Sequence, residues 1–147
     1  MSHTIELLKE HDLTVATVKH HGQHQQDFQD DDITLQKEQV DHMKHFHAGA
    51  DQSIVQGHLY QQTVTRIEEQ SLEEIINESV TIDSDIILVE GFKNAVFDKV
   101  VVYTNEYERQ TLAKLSNVRY YMKMNDINAM EYYENWLLTY FKIKGMH

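Results

Sequence analysis

The chain of 147 residues has no cysteine, no proline and only five glycines. Without cysteine, disulfides and thiolate metal centres are excluded, and a reducing, cytoplasmic setting fits. Without proline, every break in the chain must come from Gly, Asn, Asp or Ser. No window approaches the ~18 apolar residues of a membrane span, so no membrane association is expected. The N-terminus also lacks the charged-then-apolar pattern of a signal peptide. Positive charge is scarce: 13 Lys and Arg against 24 Asp and Glu leave a net charge of −11 with no basic cluster. That excludes a nucleic-acid partner, because binding a phosphate backbone needs a concentrated basic face.

What is present is globular: the hydrophobic fraction is 41%, enough for one core, and a single domain over 1–147 is expected. The most informative stretch is Asp85-Ile86-Ile87-Leu88-Val89-Glu90-Gly91-Phe92-Lys93. Four consecutive aliphatic residues predict an inner parallel strand buried on both faces. The carboxyl ends of such strands form the ligand crevice, so Glu90 arrives where chemistry usually takes place. The competing reading is a buried strand whose last residue simply meets solvent.

In chain order, residues 3–12 read as a helix with Ile5 and Leu8 inward and Leu7 beside them, and Thr14–Lys19 as a β-branched strand. Residues 20–38, rich in Gln, Asp and His, read as a long mobile loop. Gln39–Ala48 is helical, with Val40, Met43 and Phe46 or His47 on one side and Gly49 ending it. The runs 52–56 and 59–65 predict a hairpin turning at Gly57-His58 in type II′ geometry, or a crossover. Ser71-Leu72-Glu73-Glu74 is a capping box. A strand over Lys99–Tyr103, an Asn105-capped helix reaching Leu115 and a strand over Val118–Met122 follow. Last comes a helix from Asn125 or Asp126, with Ile127, Met130, Tyr133, Leu137 and Tyr140 recurring inward and Gly145 past its end. Alternating strands and helices predict a three-layer α/β fold with a mostly parallel sheet.

Three constellations carry candidate chemistry. Lys19-His20-His21 follows the first strand, where cations bind phosphate or orient a carboxylate; otherwise it is an exposed basic turn. Asp41 and His45 are i,i+4 neighbours, and His42 and His45 are i,i+3. With a carboxylate, imidazoles so spaced hold a transition metal, though more often they are a solvated helix face. Ala48-Gly49-Ala50 lets the chain pass tightly from helix to strand. Glu90 at a strand end is suited to a magnesium-bound water, and Gly91 permits a ligand close to the backbone.

Taken in order, VATVKHH, DHMKHFHAGAD, ILVEGFK and KVVVY closely resemble the molybdopterin-guanine dinucleotide biosynthesis protein B family, over about Thr14 to Tyr103. The resemblance implies a P-loop NTPase-like α/β fold and binding of Mg²⁺ and GTP with weak hydrolysis at most. It also implies an adapter role beside the guanylyltransferase that attaches GMP to molybdopterin, and a homodimer formed through added β structure. Under it, Glu90 matches the Walker-B-like carboxylate, serving Mg²⁺ or its water, with Gly91 and Lys93 beside it. Lys19, His20 and His21 match the family's basic turn; Asp41, His45 and Gly49 match its D-x-x-[RK]-H-x-x-AGA segment.

One departure is large. The family's G-x-x-x-x-G-K-[ST] loop cradles phosphates, and Gly22, Gly49, Gly57, Gly91 and Gly145 never approach that spacing. The resemblance places Met1 at the helix following that loop: either the true start lies upstream, or the strand and loop are missing and nucleotide binding is impaired. Two further readings compete: a dimerising interaction module without nucleotide chemistry, and a divalent-metal binder using His20, His21, His24 and the 42–47 cluster.

Overall fold

The computed structural model describes residues 1–21, 33, 35–37 and 40–143. The elements run α1 (Ser2–Glu10), β1 (Val15–Lys19), α2 (Asp41–His47), β2 (Gln52–Gln56), β3 (Gln61–Thr65), α3 (Leu72–Ser79), β4 (Ile86–Glu90), β5 (Lys99–Tyr103), α4 (Glu106–Leu112), β6 (Val118–Lys123) and α5 (Ala129–Tyr140). They form two compact units, Met1–His20 with Val80–His147, and His21–Ser79. Most of the loop expected over 20–38 lies outside the described residues, as do His24 and Gly145.

In the first unit the strands are parallel, as the mixed α/β pattern requires. β1 pairs with β4 from Val15 opposite Ile86 to Lys19 opposite Glu90. β5 pairs with β6, with a register irregularity between Lys99 and Val100. These are two separate two-stranded pairs. The expectation of a β4 buried on both faces is therefore corrected: Ile86–Val89 are each half-buried. Among the described residues β4 has a strand on one side only.

Both pairs rest on one apolar cluster. Leu7 and Leu8 of α1, Met122 of β6 and Tyr133 and Leu137 of α5 form it, and Val15, Ile86, Leu88, Val100 and Tyr120 pack against it. Each such buried aliphatic side chain stabilises the fold by about 1.5–3 kcal/mol. On the inward face of α1, Thr4, Leu7 and Leu8 are buried and Ile5 is half-buried. Thr4 is tolerated there because its hydroxyl and that of Tyr133 are 2.7 Å apart.

Helix ends in this unit are closed without glycine. The Asp12 N–H donates to the Lys9 carbonyl and the Leu13 N–H to that of Leu8, with Asp12 at φ +60°. Lys142, at φ +53°, repeats the pattern after α5, where Ile143 donates to Leu138. These are Schellman closures, each tying an apolar residue beyond the helix back to its last turn. α5 starts later than expected, after Asn128, so Ile127 precedes it and is 97% exposed. α4 stops at Leu112 rather than Leu115 and buries no residue.

In the second unit α2 lays Met43 and Phe46 inward, while Val40 is exposed. The Ser53 hydroxyl of β2 donates to the His42 carbonyl at 2.9 Å, and Arg66 donates to the Phe46 carbonyl and lies 4.2 Å over its ring. β2 and β3 form an antiparallel hairpin, so the crossover reading falls. Its turn lies one residue further on than expected. The Gly57 N–H donates to the Tyr60 carbonyl, which puts His58 and Leu59 at the tip. The capping box forms: the Ser71 N–H donates to Glu74 Oε2, and the Glu74 N–H to Ser71 Oγ.

Candidate functional site

The site is built at the carboxyl end of the β1–β4 pair, and the opposite end holds the strands in register. There Asp85 Oδ2 accepts from the Thr14 N–H at 2.8 Å and from its hydroxyl at 2.9 Å. The Thr14 N–H, then its hydroxyl, hold the Asp85 carboxyl below the usual carboxylate range. With that end locked, the parallel register carries Lys19 and Glu90 to the last paired position together.

Lys19 Nζ stands 3.6 Å from Glu90 Oε1, with the side chains 65% and 54% exposed. The pair faces solvent, where an ion pair adds little to stability and both groups are open to a ligand. The His20 N–H extends the strand pairing one step by donating to the Glu90 carbonyl at 3.0 Å. Beyond it Gly91 sits at φ +92°, and a Cβ there would lie 3.0 Å from His20 Cβ. This position needs glycine on both counts. The next ring, Phe92, meets the His20 imidazole edge-on at 5.0 Å between centroids and 71° between planes. Lys93 then lines a cavity of about 320 Å³ with Val102 of β5 and Tyr107, Glu108, Thr111 and Leu112 of α4.

Of the residues expected at the site, the structure thus brings together Lys19, His20, Glu90 and Gly91, with Lys93 on the α4 side of the same turn. His21, Asp41, His45 and Gly49 belong to the second unit. There Asp41 pairs with Lys44 at 3.4 Å, and His45 is exposed. Gly49, at φ +119°, closes α2: its N–H donates to Phe46 and that of Ala50 to His45. The Ala-Gly-Ala triplet therefore has a helix-ending function in this fold. Phe92 stood inside the stretch marked from sequence but was given no role there; its position between a glycine and a lysine at a strand end was the available signal.

Among the described residues Glu90 is the carboxylate paired with Lys19 at this end of the strand pair. That suffices for magnesium, which is held by one or two carboxylates, with water and substrate phosphates completing the shell. It does not suffice for a transition-metal centre. Among the described residues no group of three or more His, Asp or Glu stands close enough to hold a metal ion. The His-cluster reading therefore has no support among them; its His24 lies outside.

A parallel α/β unit with a lysine, a carboxylate and a glycine turn gathered at its strand ends defines a protein of the carboxyl-end-crevice class. The comparisons with known proteins name the family. The model for molybdopterin guanine dinucleotide synthesis protein B matches residues 1–122, and the chain belongs to that family. It is a family of molybdenum-cofactor biosynthesis. The fold agrees with a solved MobB protein homolog from Bacillus stearothermophilus: TM-score 0.68, 20% identity, 97% of this chain and 87% of that one covered. Bacillus subtilis MobB is similar at TM-score 0.65 and 22% identity, over 99% of this chain and 91% of that one. No curated protein matches the chain. No described helix is long and apolar enough to cross a membrane.

Proposed function

We propose that the chain is a GTP-binding adapter of molybdenum-cofactor biosynthesis, acting in the cytoplasm beside the guanylyltransferase that attaches GMP to molybdopterin. The observation that carries this reading is the Lys19–Glu90 pair, set by parallel register at the strand ends of a chain of this family. Glu90 supplies an oxygen to Mg²⁺ or to its water, the ion serving to neutralise phosphate charge. Lys19, exposed beside Glu90, would direct its ammonium to a phosphate oxygen. His20 adds a second donor on the β1 side, and Lys93 a third toward α4. A homodimer forms through the β2–β3 hairpin, whose Ile54, Leu59 and Tyr60 are exposed.

Hydrolysis is weak or absent. Calorimetric titration of this chain with GTP, with and without Mg²⁺, tests the reading. Magnesium-dependent binding that favours GTP over ATP and is lost in Glu90→Ala supports it. Binding unaffected by Mg²⁺ or by Glu90→Ala removes the role given to Glu90. The exposed Ile54, Leu59 and Tyr60 of the hairpin also favour a second reading, an interaction module without nucleotide chemistry. No saturable GTP binding at millimolar concentration, together with retained capture of the guanylyltransferase, would establish that reading instead.

A further inference from the structure

The turn that follows Glu90 contains an unexplained strain. Gly91 and Phe92 are successive residues in the left-handed region, at φ +92° and +52°. Glycine takes this conformation freely, but a phenylalanine does not. Only four non-glycine residues among those described have positive φ. Asp12 and Lys142 occupy helix closures, where the left-handed residue is part of the cap. Phe92 closes no helix. Covering apolar surface does not account for it either, because a half-buried ring reaches such surface from an ordinary backbone.

What the conformation achieves is visible in its neighbours. It turns the Phe92 ring back onto the His20 imidazole, edge to face, while the Ala95 N–H closes the turn on the Phe92 carbonyl at 3.0 Å. Lys93, one residue on, is directed to the β5 and α4 side. Gly91 has no Cβ and so leaves the space that His20 Cβ approaches. His20 is thereby held by three successive contacts with one turn: its N–H on the Glu90 carbonyl, its Cβ over Gly91, its ring on Phe92. Backbone strain that is held by surrounding contacts next to a ligand crevice is a signature of pre-organisation.

We propose that Phe92 is a positioning residue: it fixes the His20 imidazole against the Gly91–Phe92 turn at the strand ends, so that an anionic ligand, a nucleotide phosphate in this setting, meets a pre-set donor. The ligand class rests on the GTP reading above; the clamp itself rests on geometry alone. The ring restrains an exposed imidazole that would otherwise sample several rotamers, which lowers the ordering cost of binding.

The test uses the whole chain with Phe92→Leu, which keeps an apolar filler without the ring, and Phe92→Tyr, which keeps the ring. The first measurement is the NMR spectrum of the His20 ring protons without ligand. In the wild type they are displaced from the positions of a free imidazole by the neighbouring ring. Phe92→Leu abolishes the displacement and Phe92→Tyr retains it. The second measurement is titration with Mg·GTP. Phe92→Leu weakens binding about tenfold, the size of one displaced charge-assisted hydrogen bond, and Phe92→Tyr restores it. A merely structural Phe92 would lower the melting temperature of Phe92→Leu but leave affinity within about twofold, and that result overturns the proposal. Unchanged His20 resonances in Phe92→Leu overturn it as well. If the wild type binds no Mg·GTP, the nucleotide reading fails, and the clamp stands or falls on the His20 resonances.

Discussion

Lys19 and Glu90 are register partners at the last position of a parallel strand pair, and their charged ends are 3.6 Å apart. Two residues 71 positions apart in the chain are matched because Thr14 and Asp85 interlock at the other end of the same pair. Structure is concentrated at one end of the pair and available charge at the other. Glu90→Gln and Lys19→Met should each change unfolding free energy by less than about 1 kcal/mol, as expected for an exposed pair. Urea unfolding at neutral pH checks this. A loss of several kcal/mol would mean that the pair holds the fold together and is not available to a ligand.

The Thr14–Asp85 lock predicts a pH dependence. The folded-state pKa of Asp85 lies below its ordinary value, chiefly because the Thr14 N–H and then its hydroxyl donate to the carboxylate. A depressed carboxyl stabilises the fold at pH values above the ordinary aspartate range. That contribution is lost as pH falls through the folded-state value. Asp85→Asn should therefore be less stable than the wild type at pH 7, with the difference narrowing on acidification. Denaturant melts from pH 7 to pH 3 measure it; a difference constant across that range would contradict the assignment.

The parts of the fold that were legible in the sequence are those where one local signal dominates. The β-branched runs at Val15–Lys19 and Lys99–Tyr103 and the Ser71–Glu74 box produced the elements expected of them. The extent of β4 was equally legible; its burial was not, because four aliphatic residues say nothing about whether both sheet edges are filled. Thr4 escaped notice because its burial depends on a hydroxyl in α5, 129 positions away. The end of α5 was looked for at Gly145, whereas Lys142 takes the left-handed position, a choice made by the Ile143–Leu138 closure and not by backbone preference. At the site, Glu90 and Lys19 were identifiable from strand-end position. The contact of Phe92 with His20 was not, since it depends on a backbone conformation that phenylalanine disfavours.

The buried Thr4–Tyr133 contact joins α1 to α5 beside Leu8, which is fully buried. Burial raises the Tyr133 pKa from its ordinary value, and the bond to Thr4 partly opposes the rise. Tyr133→Phe removes one partner and leaves the Thr4 hydroxyl buried alone, which should cost about 1–3 kcal/mol. Adding Thr4→Val should recover part of that loss, since the second polar group then no longer needs a partner. A double-mutant cycle by thermal or urea unfolding reads the coupling. Strict additivity of the two substitutions would show that the hydroxyls do not depend on one another.

Gly49 allows a structural role to be separated from a ligand role, and Lys142 supplies the control. Both hold the left-handed position of a helix closure, Gly49 at φ +119° and Lys142 at φ +53°. A Cβ on Gly49 would meet nothing within 4 Å, so the penalty of Gly49→Ala is conformational and not steric crowding. That substitution should destabilise the fold by about 1–2 kcal/mol. Lys142→Gly should have the opposite sign, a gain of a few tenths to ~1 kcal/mol, because it relieves the same strain while increasing the freedom of the unfolded chain. Melting temperatures of the two variants give the signs directly. If Gly49 serves only the closure, Gly49→Ala lowers stability and leaves ligand affinity unchanged at temperatures where the chain remains folded. A fall in Mg·GTP affinity in the folded variant would instead give this glycine a share in the site.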